Sequence, residues 1–117
     1  MEAKDLRITN LVKYKSFECA VTAIDLVDIR ISRFKDEKKQ SSVISIVNVY
    51  DDLIPIPLTE DRWIELGNLN KDMLVDKSGF VIFKNGYAYQ FVFNDYPFMN
   101  QLQNLYFDLT RKELTIT

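Results

Sequence analysis

Residues 79–94 read GFVIFKNGYAYQFVFN, and Asn85-Gly86 divides them into two apolar runs. Asn-Gly between β-prone runs is a strong hairpin signal, because a two-residue type I′ turn requires positive φ at both central positions. That turn sets the register, with 84 facing 87, 82 facing 89 and 80 facing 91. One face then carries Phe80, Ile82, Tyr87, Tyr89, Phe91 and Phe93, and the other Val81, Phe83, Ala88, Gln90 and Val92. With apolar residues on both faces, the pattern predicts a hairpin covered on both sides, with Tyr89 and Phe91 largely buried.

Toward the N-terminus the period stays at two. Residues 6–14 read as a first strand, and Phe17, Cys19, Val21 and Ala23 alternate with Glu18, Ala20 and Thr22 in a second. Ile29 and Ile31 resume the alternation, and 43–50 is a further β-branched strand. Between them, 33–42 (RFKDEKKQSS) is a charged loop or hairpin tip. The result is an antiparallel meander, with a small SH3-like barrel as one way to close it.

Residues 53–58 (LIPIPL) are extended, because two prolines at alternate positions block a helix and remove ladder donors. A short helix follows. Thr59 is its N-cap, Glu60 and Asp61 put negative charge in its first turn, and Leu58 and Trp63 have the spacing of a hydrophobic staple. Gly67 is read as its left-handed stop. Residues 73–75 form a brief strand and 76–79 (DKSG) a turn. A last helix spans about 97–110 with Asp95 as N-cap. Phe98, Met99, Leu102, Leu105, Tyr106 and Leu109 lie within one arc of it, and Asn100, Gln101, Gln103, Asn104 and Asp108 lie outside. Phe107 points nearly opposite the apolar centre. Residues 113–117 read as a terminal strand. The whole is an α+β fold in one domain, 1–117, whose C-terminal helix packs on the sheet.

Composition narrows the function. At 117 residues with 47% hydrophobic and 27% charged residues, the chain can build a core without staples. The net charge is −2, divided as +2 over 1–42 and −4 over 43–117. That balance argues against nonspecific nucleic-acid binding, which needs many Lys/Arg–phosphate contacts. No apolar run reaches the roughly 20 residues that span a bilayer, and the first ten residues lack the apolar stretch of a secretory signal. A single cysteine precludes an internal disulfide and agrees with a reducing compartment. The expectation is a cytoplasmic protein without membrane contact.

Histidine is absent, which removes the commonest general base, the Ser/His and Cys/His nucleophile systems and the commonest metal ligand. The three glycines each read as turn residues, so none forms a phosphate-cradling loop. Cys19 reads as a core residue of an alternating strand rather than a reactive thiol. The carboxylates Asp51, Asp52, Glu60, Asp61 and Glu65 read as solvated rather than metal-binding, and Asp25 and Asp28 as positions around a strand end. No enzymatic activity, metal or cofactor is expected.

The tail, 100–117, reads NQLQNLYFDLTRKELTIT. It resembles the signature H-Q-L-Q-N-L-Y-F-A-L-T-G-E-E-L-T-I of small proteins from gut anaerobes and their phages and prophages, a family with no assigned biochemical activity. Two further islands fit the resemblance. Leu6-Arg7-Ile8 with Asn10 and Val12 matches L-R-I-G-N-x-V, and 55–60 with Trp63 matches P-I-P-L-T-E-E-W-L. Thr9 and Arg111 stand where that pattern has glycine, which puts tight turns in doubt at both places, and Asn100 stands where it has histidine. The resemblance implies a mobile-element accessory protein and supplies no catalytic residues.

Two functional readings follow. The first is a non-catalytic protein-binding module of phage or prophage origin that engages host machinery or defence, or a phage protein, or a second copy of itself. Its contact residues are Phe107 with Gln103 and Asn104, and Arg33, Lys35, Lys38 and Lys39 of the charged loop. The second is a single-stranded nucleic-acid binder. Residues 86–91 partly match the RNA-recognition signature, 43 onward allows a βαββαβ order, and Tyr87, Tyr89 and Phe91 would stack bases. The negative charge of that half makes nucleic acid the weaker partner.

Overall fold

A five-stranded antiparallel sheet builds the first of two units, Met1–Ile56 and Pro57–Thr117, into which the chain divides. The computed structural model describes residues 5–34 and 40–117. The first sheet comprises β1 (Leu11–Tyr14), β2 (Phe17–Ile24), β3 (Asp28–Arg33), β4 (Ser41–Ser45) and β5 (Leu53–Pro55), in the spatial order β4-β3-β2-β1-β5. The alternation read from the sequence fixes which residues point inward. Val12, Cys19, Val21, Ile29, Ile31, Ile44 and Leu53 form one buried cluster with Leu6 and Val49, each large aliphatic side chain contributing roughly 1.5–3 kcal/mol.

The register between β2 and β3 slips after Val21, leaving Thr22 as an extra residue, and such a bulge bends its strand. The sheet curls into a half-barrel and stays open, with β4 and β5 as its edges. Pro55 lies in the edge strand, where a missing donor costs no ladder bond.

Three sequence expectations are corrected in this unit. β1 starts only at Leu11, because a turn closed by Asn10 N–H to Arg7 C=O (3.0 Å) precedes it. That turn holds Thr9 at φ 82°, so it forms without the glycine of the resembled pattern. The strand expected over 43–50 ends at Ser45, and the chain passes through a 3-10 turn (Ile46–Asn48) into the one-turn helix α1 (Val49–Asp52). This helical step swings Val49 inward, to 1% exposure, which a continued strand would not do.

The second unit comprises α2 (Glu60–Leu69), β6 (Met73–Val75), β7 (Gly79–Lys84), β8 (Tyr87–Val92) and α3 (Met99–Thr110). Thr59 caps α2, accepting from Arg62 N–H at 3.3 Å. Gly67 does not stop this helix. It lies within α2, where a Cβ would sit 3.1 Å from Val75 Cγ2, so its missing side chain admits β6. The helix ends at Asn70, whose amide donates to Leu66 C=O at 2.8 Å.

The strands β6, β7 and β8 form an antiparallel meander, and the β7–β8 register is the one read from Asn85-Gly86. Asn85 and Gly86 have φ 52° and 81°, as a type I′ turn requires. α3 lies against β7. Its N-cap is Phe98, not Asp95, which belongs to a 3-10 turn, Phe93–Asp95; Phe98 N–H donates to Gln101 Oε1 at 3.1 Å. α3 ends with Arg111 in the left-handed region at φ 59°, again where the resembled pattern has glycine. The tail makes no strand. Instead the buried Asn70 side chain takes the place of one, accepting from Thr115 N–H (2.8 Å) and donating to Thr115 C=O (2.9 Å), and Leu114 is buried beside it in sequence. With no strand after α3, the three-stranded meander departs from the βαββαβ order.

Candidate functional site

The sheet of the second unit has one buried and one open face. Met73, Phe80 and Ile82 point to the buried face, at 4%, 1% and 0% exposure. Phe80 stacks on Trp63 of α2 with centroids 4.7 Å apart, and on Phe91 at 5.2 Å, while Tyr96 meets Phe80 and Phe91 edge-on. The opposite face carries Leu74, Gly79, Val81, Phe83, Ala88, Gln90 and Val92. None of these is charged, and Leu74, Phe83 and Val92 are exposed. Gly79 is required there, since a Cβ would fall 2.0 Å from the Phe91 carbonyl oxygen.

Full coverage of the hairpin is therefore corrected. Tyr87 and Tyr89 are exposed, at 67% and 41%, and Phe91 is half-buried. The reason is position, since β8 has a sheet neighbour on one side only. Tyr87, Tyr89 and Phe91 share the face of Phe80, so they extend the ring cluster past its covered part.

On α3 the residues proposed around Phe107 are not an open polar surface. Gln103 is 2% exposed and Asn100 4%, against the expectation that both lie outside the buried arc; Asn104 and Phe107 are half-buried. The buried arc of α3 is thus wider than its apolar stripe. The Arg111 guanidinium lies 5.9 Å from the Phe107 ring. Asn100 Oδ1 is buried without a hydrogen-bond partner. Tyr106, buried on the same helix, has its hydroxyl pushed above its ordinary range by desolvation and by the Asp72 carboxylate.

In the first unit, Arg33 is half-buried and its guanidinium stacks on Phe17 at 3.5 Å, so it belongs to the sheet rather than to a solvated tip. Lys35, Lys38 and Lys39 lie outside the described residues. Arg33 and Phe17 border a cavity of about 370 Å³ that Tyr14, Cys19, Ile31 and Ser42 also line. Burial pushes the Cys19 thiol up, against a smaller opposing pull from Arg33, so the thiol is not poised as a nucleophile.

A second groove, of about 700 Å³, runs along Leu58, Trp63, Ile64, Val75 and Phe93, with Glu60, Asp76 and Lys77 at hand. The Asp76 carboxylate is engaged by Ser78 N–H (2.8 Å) and Gly79 N–H (2.9 Å), which hold it below its ordinary range. Asp25 makes the same turn, with Val27 N–H at 2.9 Å and Asp28 N–H at 2.8 Å, and is depressed likewise. Both aspartates are turn-forming groups. Among the described residues no group of three His, Cys, Asp or Glu gathers as a metal site would require, and no helix is long and apolar enough to cross a membrane. No protein-family model, curated protein or solved structure matches this chain.

Proposed function

We propose that the chain is a non-catalytic protein-binding accessory module of phage or prophage origin that acts on host machinery or defence. The observation that carries this reading is the uncharged outer face of β6–β8, where Leu74 is 58%, Phe83 42% and Val92 51% exposed. Contiguous apolar surface of this kind marks interaction sites, because leaving it in water forgoes roughly 25 cal/mol per Å². The half-burial of Phe107 and the burial of Gln103 make α3 the lesser contact.

A single-stranded nucleic-acid partner is supported by the exposed Tyr87 and Tyr89. It is opposed by the Phe91 ring, which already packs on Phe80 and Tyr96, and by the charge of this region, where Lys84 is the one cation between 79 and 92.

The test is capture from a bacterial host lysate by the tagged chain and by Phe83→Glu, each with and without nuclease. The expected result is a nuclease-resistant protein partner that is lost in Phe83→Glu while the urea midpoint is unchanged. A nuclease-sensitive catch that depends on Tyr87 and Tyr89 would replace this reading with the nucleic-acid one.

A further inference from the structure

β8 ends its sheet. In a two-residue hairpin the residues flanking the turn exchange hydrogen bonds, and hydrogen-bonded pairs recur at every second position. With Lys84 opposite Tyr87, the pairs 84–87, 82–89 and 80–91 are the bonded ones. Tyr87, Tyr89 and Phe91 therefore direct their N–H and C=O groups at β7, and Ala88, Gln90 and Val92 direct theirs away from it. Such an edge is a template for another strand. Natural edges are commonly blunted by a charge, a proline or a bulge, and 87–92 (YAYQFV) has no charge and no proline and pairs in unbroken register.

We infer that the strand added to this edge is β8 of a second copy of the chain, running antiparallel about a two-fold axis through Gln90. The register follows from the outward groups, because an axis through Gln90 lets Ala88, Gln90 and Val92 all exchange bonds with the second copy, whereas an axis through Tyr89 or Phe91 engages only two of the three. Gln90 then faces Gln90 of the second copy, Ala88 faces Val92, and Tyr89 faces Phe91 in the closely spaced non-bonded pairs. Each pairing is favourable: amide on amide, small on branched, ring on ring. No like charges meet, whereas an arbitrary strand would have to supply all of this by chance. A two-fold contact uses one patch twice, so self-complementarity is the property that selects a copy. The two outer faces would join into one continuous uncharged surface, and the dimer itself is independent of what that surface binds.

Sedimentation of the full chain over a concentration series tests this, with Gln90→Lys and Gln90→Glu as variants. The wild type is expected to dimerise, and its Ala88, Gln90 and Val92 amides to exchange more slowly as concentration rises. Each variant alone should associate at least tenfold more weakly, since like charges would face each other across the axis, and an equimolar mixture of the two should recover the dimer. At a concentration low enough for every chain to be monomeric, both should keep the wild-type urea midpoint, because Gln90 is exposed. A wild type that stays monomeric at its solubility limit overturns the inference. So does a dimer that survives Gln90→Lys, or one that is lost in Phe83→Glu alone, which would mean face-to-face packing. Lysate capture by a strictly monomeric chain would separate failure of this inference from failure of the proposed function.

Discussion

The chain builds a two-residue hairpin twice, at Lys15-Ser16 and at Asn85-Gly86, and all four turn residues have positive φ. The turns match, but the strands that leave them do not share a fate. β2 runs between β1 and β3, and its Cys19 and Val21 are buried. β8 has β7 alone, and its Tyr87, Tyr89 and Val92 are exposed. The less hydrophobic hairpin is thus the better covered one. Side-chain period determines which residues share a face, whereas cover depends on whether a further strand pairs beyond the hairpin, as β3 does on β2, which the pattern of the two strands alone does not encode.

The largest expected effect compares two rings of the aromatic hairpin. Phe80→Ala should cost about 3–5 kcal/mol in urea denaturation, as fully buried aromatic truncations do. Phe91→Ala, on the edge strand, should cost less, about 2 kcal/mol, because its ring is only partly removed from water. Measured on the monomer at low concentration, equal losses would mean that β8 is covered within its own chain, and the contrast between the two hairpins would not hold.

The next effect concerns backbone conformation. Thr9 is β-branched and sits at φ 82° in the turn before β1, a region that such residues rarely occupy. Thr9→Gly should raise stability by about 1–2 kcal/mol, since the left-handed region costs an L-residue about that much. Ser16→Gly, which makes the first hairpin turn more like the second, should add less than about 1 kcal/mol, because relief of the left-handed conformation is partly offset by the greater unfolded-state freedom of glycine. If neither substitution stabilises, hydrogen bonding in these turns already offsets the conformational cost.

Much of the architecture was legible in the sequence for identifiable reasons. Asn85-Gly86 admits few turn types, so the β7–β8 register could be read residue by residue. Thr59 and its acidic neighbours marked the start of α2 through groups that act locally. Its end could not be read the same way, since Gly67 serves close packing on Val75 and the stop depends on Asn70, whose partner Thr115 is 45 residues away. The helical turn at Ile46–Asn48 was hidden because β-branched residues favour strand locally, while burial of Val49 decides otherwise. For the candidate surface, the sequence supplied the residues of the outer hairpin face but not its exposure. It also placed Gln103 in solvent, because an apolar stripe alone does not show how wide an arc of α3 is buried.

The smallest effect lies in the loops that follow β2 and β6, where Asp25 and Asp76 each accept two backbone N–H groups. Those bonds favour the charged carboxylate, and Asp76 also accepts from the Ser78 hydroxyl, so both groups titrate below their ordinary value of 3.8 when folded. A depressed folded pKa gives stability that is fully present above the unfolded pKa and is lost as pH falls through the folded one. Asp76→Asn keeps an acceptor but cannot ionise, so its stability should fall less steeply than wild type below pH 3.8. Asp25→Asn should behave in the same way at the tip of β2 and β3. Both carboxylates are fully exposed, so the effects are small and are best measured as urea midpoints across an acid series at constant ionic strength. Unequal responses would show that one turn is held by more than its aspartate. The Ile46 N–H to Val27 C=O bond of 2.7 Å makes the Asp25 turn the one expected to respond less.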